Sequence, residues 1–234
     1  MKQSRFFIGS IPVLVCGGDS EKAFLFVHGL CGSKEEAIRF AAVAEKHGYQ
    51  TFSLDLPGHG GRKDESKLVP WDVIPEIRRV YEFMRRRYKE ISLRAISIGA
   101  YFSLSALSGE RISECLLSSP LCDMVDMIGG MMAMAGVDEA ELEEKGEIPT
   151  ASGQTLSWRY LLWARGHEVH VPCHTEILYG SRDELIRRGV IDRFVENEDC
   201  GLTVIDSEHW IHTPEAVAEM EKWEEKTLEA ADNS

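Results

Sequence analysis

Three residues of this chain have the types and placement needed for acyl chemistry. Ser97 follows the strand-like run Ile91 to Ile96 and opens Ser97-Ile98-Gly99-Ala100, which reads as the start of a helix. A serine at such a strand-to-helix turn is held in a strained backbone conformation, so the residues two positions away must be small. Ala95 and Gly99 meet that need, with alanine standing where a G-x-S-x-G pattern has its first glycine. Taken alone, the serine also reads as an ordinary helix cap. A hydroxyl becomes a nucleophile only when a base takes its proton, and an imidazole base needs a carboxylate to fix its tautomer. Gly180-Ser181-Arg182-Asp183-Glu184 follows the apolar run Thr175 to Tyr179, and Asp206-Ser207-Glu208-His209-Trp210 follows Leu202 to Ile205. Asp183 is therefore the candidate acid and His209 the candidate base. Asp183 also reads as a cap for a helix starting at Glu184, Asp123 is the rival acid, and His212 is the rival base.

An oxyanion formed at Ser97 needs fixed N–H donors. The amide of Ile98, at the start of the elbow helix, is one candidate. Leu30, in the loop His28-Gly29-Leu30-Cys31-Gly32-Ser33 after the strand Ala23 to Val27, supplies the other. His28 and His59 read as loop-bracing side chains.

The elements that must position these groups follow from the pattern. Phe6 to Ile8 and Val13 to Val15 suggest an antiparallel opening pair. Ala23 to Val27 is a strand buried on both faces. Ser33 with Glu36 reads as a capping box for a helix to His47, ended by Gly48. Tyr49 to Leu54 is the next strand. Val73, Ile77, Val80, Tyr81, Met84 and Tyr88 recur at helical spacing, with Pro75 expected in the first turn. Strand 91 to 96, helix 98 to 107 and strand Cys115 to Leu117 complete a β-α-β-α-β order, which implies a parallel sheet with right-handed crossovers. Thr175 to Tyr179, a helix from Glu184 to Val195, Leu202 to Ile205, and a helix from Pro214 to about Leu228 capped by Thr213 resume that rhythm.

Residues 122 to 171 interrupt it and read as an insertion between core segments 1–121 and 172–234. It holds a Met-rich stretch, the acidic run Asp138 to Glu147, a loop through Pro149, Ser152 and Gly153, and an aromatic segment around Trp158 and Trp163. Met124, Met127, Ile128, Met131 and Met132 fall on one helical face, which serves either as core or as an adaptable acyl pocket. Gly129-Gly130 makes a rigid helix there doubtful. Met124, Met127, Met131 and Trp210 are the candidate pocket residues.

Phe26-Val27-His28-Gly29-Leu30, Asp55-Leu56-Pro57-Gly58-His59-Gly60, the Ser97 elbow, Tyr179-Gly180-Ser181-Arg182-Asp183 and Glu208-His209-Trp210 together resemble the α/β-hydrolase superfamily. The pattern is most similar to small esterases of the monoacylglycerol-lipase and serine-aminopeptidase branch. That resemblance implies the α/β-hydrolase fold, a mostly parallel eight-stranded sheet flanked by helices with a small lid after the sixth strand, which the insertion 122–171 would supply, and ester hydrolysis without a cofactor. The thioesterase and aminopeptidase alternatives share the same triad, and a ligand-binding relative without turnover would keep the same pocket.

Composition narrows the partners. A formal net charge of −13 repels phosphate backbones, and the basic run Arg85-Arg86-Arg87 lies on the solvated face of a helix, so nucleic acid is not expected. The Gly-rich turn after Leu56 lacks the helix start and lysine of a nucleotide site. No apolar run is long enough to span a bilayer. The six scattered cysteines, with no metal-like spacing, and the absence of a cleavable leader suggest a reduced, cytoplasmic protein with no metal. The expected partner is a small-molecule ester.

Overall fold

The computed structural model describes residues 1–62, 64, 67–151 and 153–232. Strands β1 (Gln3–Ile8) and β2 (Ile11–Cys16) form an antiparallel hairpin. Next come β3 (Lys22–Val27), α1 (Ala37–Ala44), β4 (Tyr49–Leu54), α2 (Pro70–Arg85), β5 (Glu90–Ile96), α3 (Ile98–Ala106) and β6 (Cys115–Ser118). The segment between β6 and β9 holds α4 (Met124–Ala135), α5 (Glu139–Lys145), the hairpin β7 (Glu147–Pro149) and β8 (Thr155–Ser157), and α6 (Trp158–Arg165). The chain ends with β9 (Thr175–Gly180), α7 (Arg188–Asn197), β10 (Cys200–Ile205) and α8 (Pro214–Asp232).

The main sheet has eight strands in the order β1-β2-β4-β3-β5-β6-β9-β10. All neighbours from β4 to β10 pair in parallel, and only β2 runs against the other strands. This is the mostly parallel sheet flanked by helices that the sequence implies. The period-2 alternation of β3 shows why both faces are covered: Phe24 and Phe26 join α1 and α8 in one apolar cluster, while Leu25 and Val27 join α2 and α3 in the other. β3, β5 and β9 end at the same edge of the sheet, with β5 one residue and β9 three residues past the register of Val27, so the loops after them share that edge, where open α/β folds bind ligands.

Several local expectations are corrected. The first helix opens as a 3₁₀ turn, Lys34–Glu36, and only half of the capping box forms: the Glu36 carboxylate accepts from the Ser33 N–H, but the Ser33 hydroxyl caps nothing. α2 begins at Pro70, which places Pro75 in the helix interior rather than its first turn. α7 begins at Arg188 and not at Glu184, because the Asp183 carboxylate takes the N–H groups of Leu185 and Ile186 and holds that stretch as a loop. α4 runs unbroken through Gly129-Gly130, which lie on its exposed face. Asp123 caps its N-terminus, Gly136 at φ 67° caps its C-terminus, and the buried Met124, Ile128 and Met132 anchor it, so caps and packing outweigh two poor helix formers. The β7–β8 hairpin occupies what the sequence presents as a loop; of that expectation, Ser152 lies outside the described residues. Among the described residues no helix is long and apolar enough to cross a membrane.

Candidate active site

Ser97 sits at φ 51° and ψ −123° between β5 and α3, a conformation that only a tightly determined turn sustains. Its N–H donates to the Ser118 carbonyl at 3.0 Å and its carbonyl accepts from Leu121 at 3.1 Å, so β6 pins the turn from one side. From the other side the β3 loop crowds it. A Cβ on Gly99 would lie 2.3 Å from the His28 carbonyl oxygen, so only glycine fits there. Ala95 is fully buried with its methyl accommodated, and the departure from the glycine pattern leaves the turn intact.

The structure brings the three candidate residues together. The Ser97 hydroxyl lies 2.8 Å from His209 Nε2, and His209 Nδ1 lies 2.7 Å from Asp183 Oδ2. Asp183 has a side chain with no exposed surface, and its other oxygen, Oδ1, accepts from Leu185 at 2.9 Å and Ile186 at 2.8 Å. Oδ1 thus braces its own loop rather than capping a helix at Glu184, and Oδ2 faces His209. A carboxylate on Nδ1 requires that nitrogen to carry the proton, which leaves Nε2 as the acceptor facing the serine. The rivals are occupied elsewhere: Asp123 Oδ1 caps α4 through Asp126 N–H, and His212 Nδ1 bonds the Trp210 carbonyl.

Two features escaped sequence reading. A Cβ on Gly180 would fall 2.5 Å from the Ser207 carbonyl oxygen and 2.6 Å from that of Glu208, so a glycine is required where the acid-bearing and histidine-bearing loops cross. Its signal was present in Tyr179-Gly180-Ser181, but the steric demand is set by a loop some thirty residues away. The second is Asp55, fully buried at the end of β4. It accepts from Lys34 N and Nζ at 2.8 and 2.7 Å and from Gly61 N–H at 2.9 Å. Burial alone would raise its carboxyl, but the hydrogen bonds and charge from Lys34 outweigh that and hold it below its usual range.

His28 braces the same region, as its sequence position suggested. Fully buried, it donates from Nδ1 to the Gly29 carbonyl at 2.7 Å and accepts at Nε2 from Leu56 N–H at 3.1 Å. Burial pushes its pKa down to about 4, so the ring is neutral. Because a trans peptide points its C=O and N–H in opposite directions, anchoring the Gly29 carbonyl also sets the direction of the Leu30 N–H. A Cβ on Gly29 would come 3.3 Å from Ser97 Cβ, which places this loop against the serine. Among the described residues, neither the Leu30 N–H nor the Ile98 N–H donates to another protein group. His59 bonds the Pro57 carbonyl through Nδ1 at 2.7 Å and lies beside His28.

The pocket candidates are dispersed. Met124 is buried in the principal core, whereas Met127 and Met131 are half-buried against it. Trp210 is 72% exposed and stacked on His212. A cleft of about 650 Å³ is lined by Met124 along with Tyr101, Asp123 and Phe194, and another of about 710 Å³ lies between Trp71, Arg78 and Trp163. Neither of these two clefts is lined by Ser97, Asp183, His209, Met127, Met131 or Trp210. No group of His, Cys, Asp and Glu able to hold a metal is found among the described residues.

Comparison with known proteins agrees with this architecture. The family model of the alpha/beta hydrolase fold matches residues 22–128, which carry the Leu30 loop, the Ser97 elbow and the start of α4. The chain has the α/β-hydrolase fold. Among solved structures it is similar to Est1E from Butyrivibrio proteoclasticus with ferulic acid bound, at TM-score 0.73 and 18% identity over 99% of this chain and 100% of that one. It is also similar to mouse alpha/beta hydrolase domain-containing protein 10, at TM-score 0.75 and 14% identity over 98% and 99%. A third similar structure is an esterase from Pyrococcus furiosus, at TM-score 0.64 and 18% identity over 97% and 88%. No curated protein matches the chain by sequence.

Proposed function

We propose that this α/β-hydrolase is a serine hydrolase that cleaves carboxylic esters with short to medium acyl groups. The observation that carries the proposal is the unbroken relay of 2.8 and 2.7 Å from Ser97 Oγ through His209 to Asp183, starting at a strained elbow. In acylation Ser97 Oγ bonds the ester carbonyl carbon, its proton passes to His209 Nε2, and the C–O bond to the alcohol breaks as Nε2 returns that proton to the leaving oxygen. In deacylation a water gives its proton to Nε2, its oxygen bonds the acyl carbon, and Ser97 leaves with the proton. The undonated amides of Leu30 and Ile98 suit the oxyanion of both steps, with the α3 N-terminus adding its dipole.

Residues 122–171 act in this reading as a cap over the site, with Met127 and Met131 as acyl contacts. The acyl selection expected of an acidic protein is for neutral esters over anionic ones. Esterases are among the structures that share this fold, which is consistent with ester cleavage, and a thioesterase domain is among them too. Assay of a matched panel of ester, thioester and aminoacyl substrates with wild type and Ser97→Ala tests it. Ester turnover that falls by roughly 10⁴-fold or more in the folded variant is the expected result. Near-wild-type turnover in Ser97→Ala overturns the mechanism, and a thioester or aminoacyl preference overturns the substrate class.

A further inference from the structure

We infer that Trp210 and Leu185 form an apolar shelf for the alcohol portion of the ester, so that the chain selects substrates by the bulk of an apolar leaving group. This rests on the serine-hydrolase reading above. Large apolar side chains left in water are ordinary when scattered singly. Here Leu30, Leu185 and Trp210, exposed by 48%, 52% and 72%, lie on the oxyanion, acid and histidine loops that converge on Ser97. Each is within two residues of a group that the reaction uses.

The shelf is held in place. The Trp210 ring stacks on His212 with centroids 4.4 Å apart and planes 18° from parallel, and His212 Nδ1 bonds the Trp210 carbonyl at 2.8 Å. The backbone that carries Leu185 is held by its own N–H, which donates to Asp183 Oδ1 at 2.9 Å. Surfaces ordered before binding lose little freedom when a ligand covers them.

The chemistry decides which part of the ester meets the shelf. His209 Nε2 must protonate the leaving oxygen, so that oxygen lies within about 3 Å of it. The carbonyl oxygen points instead toward the Leu30 and Ile98 amides. The alcohol therefore leaves the reaction centre on the His209 side, where Trp210 is the next residue and Leu185 follows Asp183 by two. A flat apolar or aromatic alcohol covers both side chains, whereas ethanol reaches neither.

Ethyl acetate and 2-phenylethyl acetate have the same acyl group and alkoxides of similar basicity, so the ratio of their kcat/KM values reads contact with the alcohol. We expect wild type to prefer the phenylethyl ester by roughly tenfold. Trp210→Ala with Leu185→Ser should bring that ratio to within about twofold of one, mostly through KM. Trp210→Phe keeps an aromatic plane and should retain most of the preference. Phe83→Ser, an exposed apolar position on α2 away from the site, should leave the ratio unchanged. A wild-type ratio near one, or a ratio unaltered in the double variant, overturns the inference while ester turnover leaves the hydrolase reading standing. No turnover of either ester, together with no labelling of Ser97 by a fluorophosphonate, overturns both.

Discussion

Asp183 does two jobs that look mutually exclusive in a sequence. Its Oδ1 closes the loop to Ile186 and its Oδ2 faces His209, so the residue reads equally well as a cap or as an acid until the loop is seen folded. Asparagine keeps the capping oxygen but puts an amide donor against Nδ1, which favours the wrong tautomer. Asp183→Asn should lower kcat by about 10⁴-fold with little loss of stability, whereas Asp123→Asn, an equivalent cap for α4, should change kcat by no more than a few-fold. Steady-state kinetics with thermal melts of both variants checks the ranking, and a reversed ranking moves the acid role to Asp123. His28 makes a prediction about pH. Its pKa is about 4 in the folded protein against an ordinary 6.5, with His59, Asp55 and Lys34 as its charged or titratable neighbours. Between those values the unfolded chain binds more protons than the folded one. The stability tied to the neutral ring is therefore fully present above pH 6.5 and is lost as pH falls toward 4, by on the order of 3 kcal/mol. Denaturant unfolding of His28→Gln should show a flatter loss of stability across that window than wild type; an identical slope contradicts the assignment.

Short elements separated by a Gly or Ser were legible because each strand's apolar run is bounded by turn residues, and Ser97, Asp183 and His209 all lie just past such runs. What was not legible depends on contacts distant in sequence. Gly180 is one example: its missing Cβ makes room for the carbonyls of Ser207 and Glu208. Gly180→Ala should displace the His209 loop relative to Ser97 and lower kcat/KM by about 10²-fold or more, with a lowered melting temperature. A variant with normal kinetics would show that the loops yield without consequence. α4 is the other example. Its periodicity was visible, but local propensity argued against a helix across Gly129-Gly130, and only packing of Met124, Ile128 and Met132 on the core decides the matter. Because those three are buried, the proposed acyl contact rests on the half-buried Met127 and Met131. Replacing both by Ser should flatten the dependence of kcat/KM on acyl chain length while acetyl esters are still cleaved; an unchanged profile removes α4 from the acyl pocket.

At the scale of the whole molecule, a buried ion pair ties the strand that leads to Ser97 to the helix that follows His209. Arg94 on β5 donates from Nε and an Nη to Glu224 on α8 at 2.9 and 2.8 Å, donates also to Ser118, and packs between the rings of Phe40 and Trp223. Burial raises the Glu224 carboxyl despite the opposing pull of Arg94. Arg94→Met strands a buried carboxyl and should cost about 3–5 kcal/mol in denaturant unfolding, while Arg94→Met with Glu224→Leu should recover most of that. A single variant as stable as wild type would mean that the carboxyl finds water. Nothing in the sequence signals this pair, since an arginine inside a parallel strand and a glutamate in a charged helix lie 130 residues apart. The topology, by contrast, followed from the alternation of strands and helices, and it is the topology that carries three loops to one sheet edge. The claim that those loops assemble a nucleophile is tested most directly by treating the folded protein with a fluorophosphonate and locating the adduct by mass spectrometry. A single adduct on Ser97, absent from Ser97→Ala and much slower to form in His209→Ala, is the predicted result. A folded protein that takes no label, or takes it at another residue, would contradict the account.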